Sequence, residues 1–256
     1  MKHSELLLIV FVSIWIFSCE KSNDQYFYFS NNHDAQYWNV CEITLPTNSP
    51  LGLAFDGMYL WYSDDALNCL NKISDEGKIL KTIRMPGCRL TDFDFSNGYI
   101  WCINDTTVGH ETVTEAHYPL SCIYKLSLAG KKLDSILLGH PESKRPIFLG
   151  MTIIDSTIYF STNQGYSSAL RNIDSESKQV RILHYCLLAG LTAKKDTIYV
   201  IDIQHASRTR IAPIDKDYNI IEDKAIEISF RATDLVFINN DLWVCDRKER
   251  KLKKIK

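Results

Sequence analysis

Residues 52–61 read Gly52-Leu53-Ala54-Phe55-Asp56-Gly57-Met58-Tyr59-Leu60-Trp61. Two apolar runs flank the turn dipeptide Asp56-Gly57, a combination that predicts a β-hairpin. The pattern returns four more times: as Asp92-Phe93-Asp94-Phe95-Ser96-Asn97-Gly98-Tyr99-Ile100-Trp101, from Gly150 to Tyr159, from Gly190 to Tyr199, and from Asp234 to Trp243. Each copy closes on an aromatic anchor (Trp61, Trp101, Tyr159, Tyr199, Trp243) preceded by Leu or Ile. Nine residues before each anchor stands Gly or Asp and nothing else. The remaining turns read Asp155-Ser156, Lys195-Asp196 and Asn239-Asn240.

The anchors lie 40, 58, 40 and 44 residues apart. Each hairpin, strands A and B of its unit, is followed by a third strand, C: Leu70–Ile73, Ile123–Leu126, Leu170–Ile173, Ile211–Ile214 and Leu252–Ile255. A second tight turn leads to a fourth strand, D, as at Ser74-Asp75-Glu76-Gly77 before Ile79 to Ile83. A period near 40 with several strands per unit predicts an all-β, five-bladed β-propeller over residues 37–256. The last unit stops after its third strand, while Glu42-Ile43-Thr44-Leu45 stands alone before the first. The N-terminal strand is therefore expected to complete blade five, closing the ring and removing exposed sheet edges.

The 256 residues suit one all-β domain, and 45% hydrophobic content is ordinary for a folded protein. A net charge of −2, with no basic stripe interleaved with aromatics, argues against a nucleic-acid partner. The C-terminal Lys251, Lys253, Lys254 and Lys256 alternate with apolar residues or adjoin one another, as on the solvated side of a strand. There is no G-x-S-x-G elbow, phosphate-cradling glycine loop or dinucleotide fingerprint. No cofactor is expected.

The N-terminus reads as an address. Lys2 precedes a 12-residue apolar run, Leu6 to Phe17, too short to span a bilayer. The run ends in Ile16-Phe17-Ser18-Cys19, which resembles the lipobox of bacterial lipoproteins. The resemblance implies a signal peptide over 1–18, acylation of Cys19 and a lipid anchor in the bacterial cell envelope, periplasmic or surface-exposed. Residues 19–36 read as a polar tether. Export permits disulfides, and Cys69 and Cys122, both opening strand C of adjacent blades, form one candidate pair. No Cys/His spacing suggests zinc, so no metal is expected.

In a propeller the D-to-A links and B-to-C loops emerge on one face. The A-to-B and C-to-D turns emerge on the other. Anchor-to-strand-C spacings are 9, 22, 11, 12 and 9 residues, so blade two carries a long B-to-C loop. It holds His110, Glu111, Glu115, His117 and Tyr118; the long link from blade two to blade three carries Lys144 and Arg145. Loops longer than closure requires are often functional. Tyr166 and His205 lie in other B-to-C loops on that face. Nearer the axis, Asp92 and Asp234 open their A strands. They are candidate acid–base residues, or acceptors of backbone N–H groups across the pore. Arg89 and Arg231, three residues earlier, can pair with them or contact an anionic ligand.

The phrase Gly52–Trp61, with Lys72-Ile73 and Gly77-Lys78-Ile79-Leu80 after it, resembles the repeat of bacterial propellers such as the propeller-type glutamine cyclotransferases and the gluconolactonase-like group. The first implies a five-bladed ring with an acidic residue opening blade two, where Asp92 stands. The second implies a divalent metal held by Glu, Asn and Asp at the channel mouth, where Asp234 can supply the Asp. The expected function is binding of a ligand or envelope protein through the loop-rich face by a membrane-anchored monomer. The alternative is a cyclotransferase-like or lactonase-like enzyme using Asp92 and Asp234.

Overall fold

A computed structural model describes residues 40–85, 89–104, 122–138, 147–163, 168–174, 179–184, 188–203 and 209–255. Strand β1 (Glu42–Thr44) precedes the first complete blade, formed by β2 (Pro50–Phe55), β3 (Leu60–Asp64), β4 (Cys69–Ile73) and β5 (Ile79–Arg84). Blade two holds β6 (Leu90–Ser96), β7 (Tyr99–Asn104), β8 (Cys122–Ser127) and β9 (Lys132–Leu137). Blade three holds β10 (Ile147–Ile154), β11 (Thr157–Asn163), β12 (Ala169–Asp174) and β13 (Val180–His184). Blade four holds β14 (Leu188–Lys194), β15 (Thr197–Asp202), β16 (Thr209–Pro213) and β17 (Ile226–Ile228). Blade five consists of β18 (Ala232–Ile238), β19 (Asp241–Asp246) and β20 (Lys251–Ile255), with β1 as its outer strand. All five sheets are antiparallel and four-stranded. The A strands β2, β6, β10, β14 and β18 adjoin in turn and β18 returns to β2, so the chain is a closed five-bladed β-propeller.

The expected closure is present. Glu42, Ile43 and Thr44 pair with Lys253, Leu252 and Lys251. The Leu45 N–H donates to Arg250 O at 2.8 Å, and the Lys254 N–H to Cys41 O at 2.9 Å. Ile43 and Leu252 are buried together in the seam between blades five and one. Lys251, Lys253 and Lys254 are half-buried and ion-paired: Lys251 with Glu42 at 2.7 Å, Lys253 with the buried Asp246 at 2.6 Å, and Lys254 with Asp241 at 2.5 Å.

The repeat encodes packing between blades. Five apolar clusters fill the five interfaces, each drawing on two adjacent blades. Leu60 and Tyr62 of β3 face blade five, whereas Trp61 between them faces blade two, as the two-residue period of a strand requires. Each fully buried Leu or Ile contributes roughly 2 kcal/mol of transfer free energy. The hairpin turns fall where the sequence puts them. Asn97 and Gly98 both have positive φ, 51° and 76°, the arrangement of a type I′ turn.

The candidate disulfide is absent. Cys69 and Cys122 are both buried and not disulfide-bonded, as is Cys245, whereas Cys41 is exposed. Equivalent strand-C positions of neighbouring blades face different inter-blade clusters: Leu70, next to Cys69, packs toward blade two, and Ile123, next to Cys122, toward blade three.

Candidate functional site

The five residues nine before the anchors are Gly52, Asp92, Gly150, Gly190 and Asp234, in blade order around the channel. Here the A strands converge most closely. A Cβ on Gly52 would lie 2.9 Å from Asp92 Cα and meet the Asp92 carboxylate. A Cβ on Gly190 would lie 2.7 Å from Asp234 Cα and meet the Asp234 carboxylate. Each aspartate thus needs a glycine on the preceding blade, and Gly150, whose Cβ would lie 2.5 Å from Ala189 O, is held to glycine by the backbone of blade four.

Each aspartate also reaches forward. Asp92 Oδ2 accepts the N–H of Met151 in blade three at 2.5 Å, and its Oδ1 accepts the Phe93 N–H at 2.8 Å. Asp234 Oδ2 accepts the N–H of Leu53 in blade one at 2.5 Å. Asp92 therefore ties blades one, two and three, and Asp234 ties four, five and one. Asp94, two residues further along β6, repeats the forward reach: it accepts from Ile153 N at 2.9 Å and Thr152 Oγ1 at 3.1 Å.

The electrostatics follow from burial. Asp92 is 0% and Asp234 1% exposed. Burial raises the proton affinity of both, and the two carboxyl groups interact across the channel. Asp234 is pushed up to about 8. Hydrogen bonds from the Leu53 and Leu235 backbone and from the Asp92 carboxyl oppose the effect of burial on Asp234 without overcoming it. Two buried carboxyls in this relation retain a proton between them, because both cannot ionise cheaply. Burial also pushes Asp94 up to about 6, opposed by its hydrogen bonds from Phe95, Ile153 and Thr152. The pair can store a proton and hold the ring; it does not present a base to solvent.

The arginines do not pair with these aspartates. Arg89 makes a two-pronged contact with Asp65 of blade one, Nε to Oδ1 at 2.7 Å and Nη2 to Oδ2 at 3.1 Å. Arg247 of blade five approaches the same Oδ2 at 3.1 Å and also donates to Ser49 Oγ at 2.5 Å. Burial alone would raise Asp65, but the two guanidinium groups outweigh it and hold the carboxyl below its usual range. This Arg89–Asp65–Arg247 staple spans blades two, one and five on the loop-bearing face. Arg231 is exposed and enters no ion pair among the described residues.

Asp65, Arg247 and Asp94 were not among the sequence candidates. The first two lie just beyond strand B in their blades, one residue past the polar positions Asp64 and Asp246, which with Asn104 and Asp202 form a column three residues after the anchors. Members of that column turn the chain: Asp64 Oδ1 accepts from Leu67 N, and Asp246 Oδ1 from Glu249 N. His110, Glu111, Glu115, His117, Tyr118, Lys144, Arg145, Tyr166, His205 and Cys19 lie outside the described residues.

The divalent-metal site implied by the lactonase-like resemblance does not fit these residues. Asp234 accepts the Leu53 N–H, its other oxygen lies against Gly190 of blade four, and no Glu or Asn opens any A strand. No step is derived through a metal.

No family model matches the chain. No curated protein sequence matches it either. Solved structures do resemble it. A glutaminyl cyclase from Myxococcus xanthus superposes with a TM-score of 0.60 at 9% identity, over 85% of this chain and 94% of that one. A gluconolactonase from Xanthomonas campestris gives a TM-score of 0.55 at 13% identity, over 82% of this chain and 73% of that one. A chain of a nidogen–laminin complex gives 0.53 at 15% identity, over 77% and 72%. These similarities establish the propeller fold, and the neighbours include a glutaminyl cyclase and a gluconolactonase.

Proposed function

We propose that this chain is an extracytoplasmic, lipid-anchored propeller that binds a ligand or a partner protein through its loop-rich face. One observation carries this reading: Asp92 and Asp234 are buried and accept backbone N–H groups of neighbouring blades. The strongest acid–base candidates are thereby engaged in holding the ring. The sequence excess that closure does not need lies in the blade-two B-to-C loop and the link into blade three. The staple through Asp65 supports the same reading, since it rigidifies the wall from which those loops spring.

The catalytic alternative, a cyclotransferase-like or lactonase-like enzyme, would require a substrate to reach carboxyls that are 0% and 1% exposed.

The test combines anchoring, capture and turnover. Cys19→Ala should move the chain from the membrane to the soluble fraction and abolish incorporation of labelled palmitate. Replacing residues 106–117 by a short Gly-Ser linker should abolish specific envelope cross-links without lowering the unfolding temperature. Retention of those cross-links would refute the loop-face assignment. Turnover of an N-terminal glutaminyl peptide or a lactone, lost in Asp92→Asn with the fold intact, would establish the alternative.

A further inference from the structure

Three residues past each anchor, near the end of strand B, stands a polar residue: Asp64, Asn104, Thr162, Asp202 and Asp246. All five are buried. In four blades strand C answers it. Arg210 pairs with Asp202 in blade four at 2.5 Å, and Lys253 pairs with Asp246 in blade five at 2.6 Å. In blade two the neutral Asn104 donates from Nδ2 to Tyr124 Oη at 3.3 Å, and in blade three Arg171 Nε donates to Thr162 Oγ1 at 3.2 Å. A carboxylate therefore stands in this column beside a strand-C cation, with one exception.

The exception is Asp64 of blade one. The register sets Cys69 opposite Asp64, where blades four and five have Arg210 and Lys251. It sets Asn71 opposite Tyr62, where blade five has Lys253 opposite Val244. Neither Cys69 nor Asn71 is a cation. The Asn71 amide donates to Cys69 Sγ at 3.4 Å, and its oxygen accepts from Thr82 Oγ1 at 2.8 Å. Arg84, opposite Cys69 on β5, is exposed, while Arg89 and Arg247 close on Asp65. Asp64 Oδ1 accepts the Leu67 N–H at 2.8 Å, but Oδ2 is buried without a donor.

Two more oxygens accompany it. Tyr62, two residues earlier on the same face of β3, has a buried hydroxyl with no hydrogen-bond partner, and so has Thr47 in the link from β1 to β2. Burial pushes the Tyr62 hydroxyl up to about 12, with Thr47 opposing the rise and the Asp64 charge adding to it, so the three groups lie close enough to act on one another. The phenol stays neutral and keeps its lone pairs. One carboxylate oxygen and two hydroxyl oxygens make an all-oxygen donor set, the kind that hard cations take. The three do not hydrogen-bond to one another. Oxygens around a common ion do not either, since bonds of about 2.4 Å hold them roughly 3.4 Å apart or more. A water molecule would answer the hydrogen bonds and leave the buried charge unbalanced, which the other blades avoid. One carboxylate matches one positive charge, and a divalent ion would leave a charge in excess.

We propose that Asp64 Oδ2, Tyr62 Oη and Thr47 Oγ1 bind a hard monovalent cation in the seam between blades five and one. The ion supplies the charge that Arg210 and Lys253 supply in their blades, and it fastens the link after the closing strand to blade one. The site is internal and does not depend on the binding function proposed for the loop-rich face.

The test is thermal unfolding of the full chain in choline chloride, with sodium chloride substituted stepwise at constant ionic strength. The midpoint should rise by about 3–5 °C for each tenfold increase in sodium once the site is filling. Asp64→Asn removes the charge. It should abolish the sodium response and leave the midpoint in choline unchanged or higher. Asn71→Lys copies Lys253 of blade five. Its ammonium should raise the choline midpoint toward the wild-type value in sodium and remove the sodium response. The sodium NMR line, broadened by the wild-type protein, should stay narrow with both variants. Should one variant fail to fold, the other decides. Equal wild-type midpoints in choline and sodium overturn the proposal. So does a sodium response that survives in folded Asp64→Asn, or stabilisation by calcium with none by sodium.

Discussion

The Asp234 carboxylate accepts the Leu53 N–H at 2.5 Å across 181 residues of sequence, where the last blade meets the first. With the β1–β20 pairing further out, it closes the ring at the axis as well as at the rim.

Asp234→Ala should leave the Leu53 N–H buried without a partner. The expected loss is about 1–3 kcal/mol, the cost of an unsatisfied buried donor. Urea denaturation should show a lower midpoint with an unchanged slope. A midpoint equal to that of the wild type would mean that the seam relaxes to supply another acceptor.

Stability should fall as pH rises from about 4 to above 8. Asp92 and Asp234 have folded-state proton affinities raised by burial, Asp234 to about 8, and Asp94 is raised to about 6. Above the unfolded carboxylate value the folded state therefore holds more protons than the unfolded one. Stability present below the unfolded pKa is lost as pH passes through the folded values. Asp65, whose affinity is lowered, acts oppositely and only at the acid end. Denaturation midpoints at pH 5, 7 and 8.5 should decrease in that order. Asp92→Asn should flatten the decline, and an equally steep decline in that variant would exclude the pair as its source.

Lys195 occupies the left-handed region at φ 55°, a position filled elsewhere by Asn97, Asp155 and Asn239. Lysine lacks the short polar side chain that eases this conformation. Lys195→Asn should stabilise the protein by about 0.5–1 kcal/mol, read as a rise in thermal midpoint.

Ile43 is 3% exposed in the closing strand. Ile43→Ala should cost about 2–4 kcal/mol by transfer and cavity. It should also speed hydrogen exchange at the Leu45 and Lys254 amides, which donate across that seam. Loss of stability without faster exchange at those two amides would place the damage elsewhere.

Much of the architecture was legible because it is written locally. Asp56-Gly57 and Asn97-Gly98 announce hairpins through backbone chemistry confined to two residues. The unpaired Glu42–Leu45 segment announces closure by lacking a local partner. The candidate site was legible only in part. Asp92 and Asp234 were found by their column, and their acceptance of N–H groups across the pore was one of the roles weighed for them. Arg89 was matched to Asp92 by nearness in sequence, but the structure gives it to Asp65 of the preceding blade. A guanidinium on a flexible stem takes the carboxylate that space brings near, and Asp92 was already committed to Met151.

The sequence alone was enough to determine the repeat, the turns, the five blades and the strand that joins the ends. Turn preference and alternation act over a few residues, and the repeat states them five times. The tertiary structure alone decided that two carboxyls from blades two and five share one buried environment, that Asp65 is held between two arginines, and that Thr47 meets Tyr62 and Asp64 in the closing seam. Each of these brings together groups distant in sequence, and their distances exist only once the ring has closed.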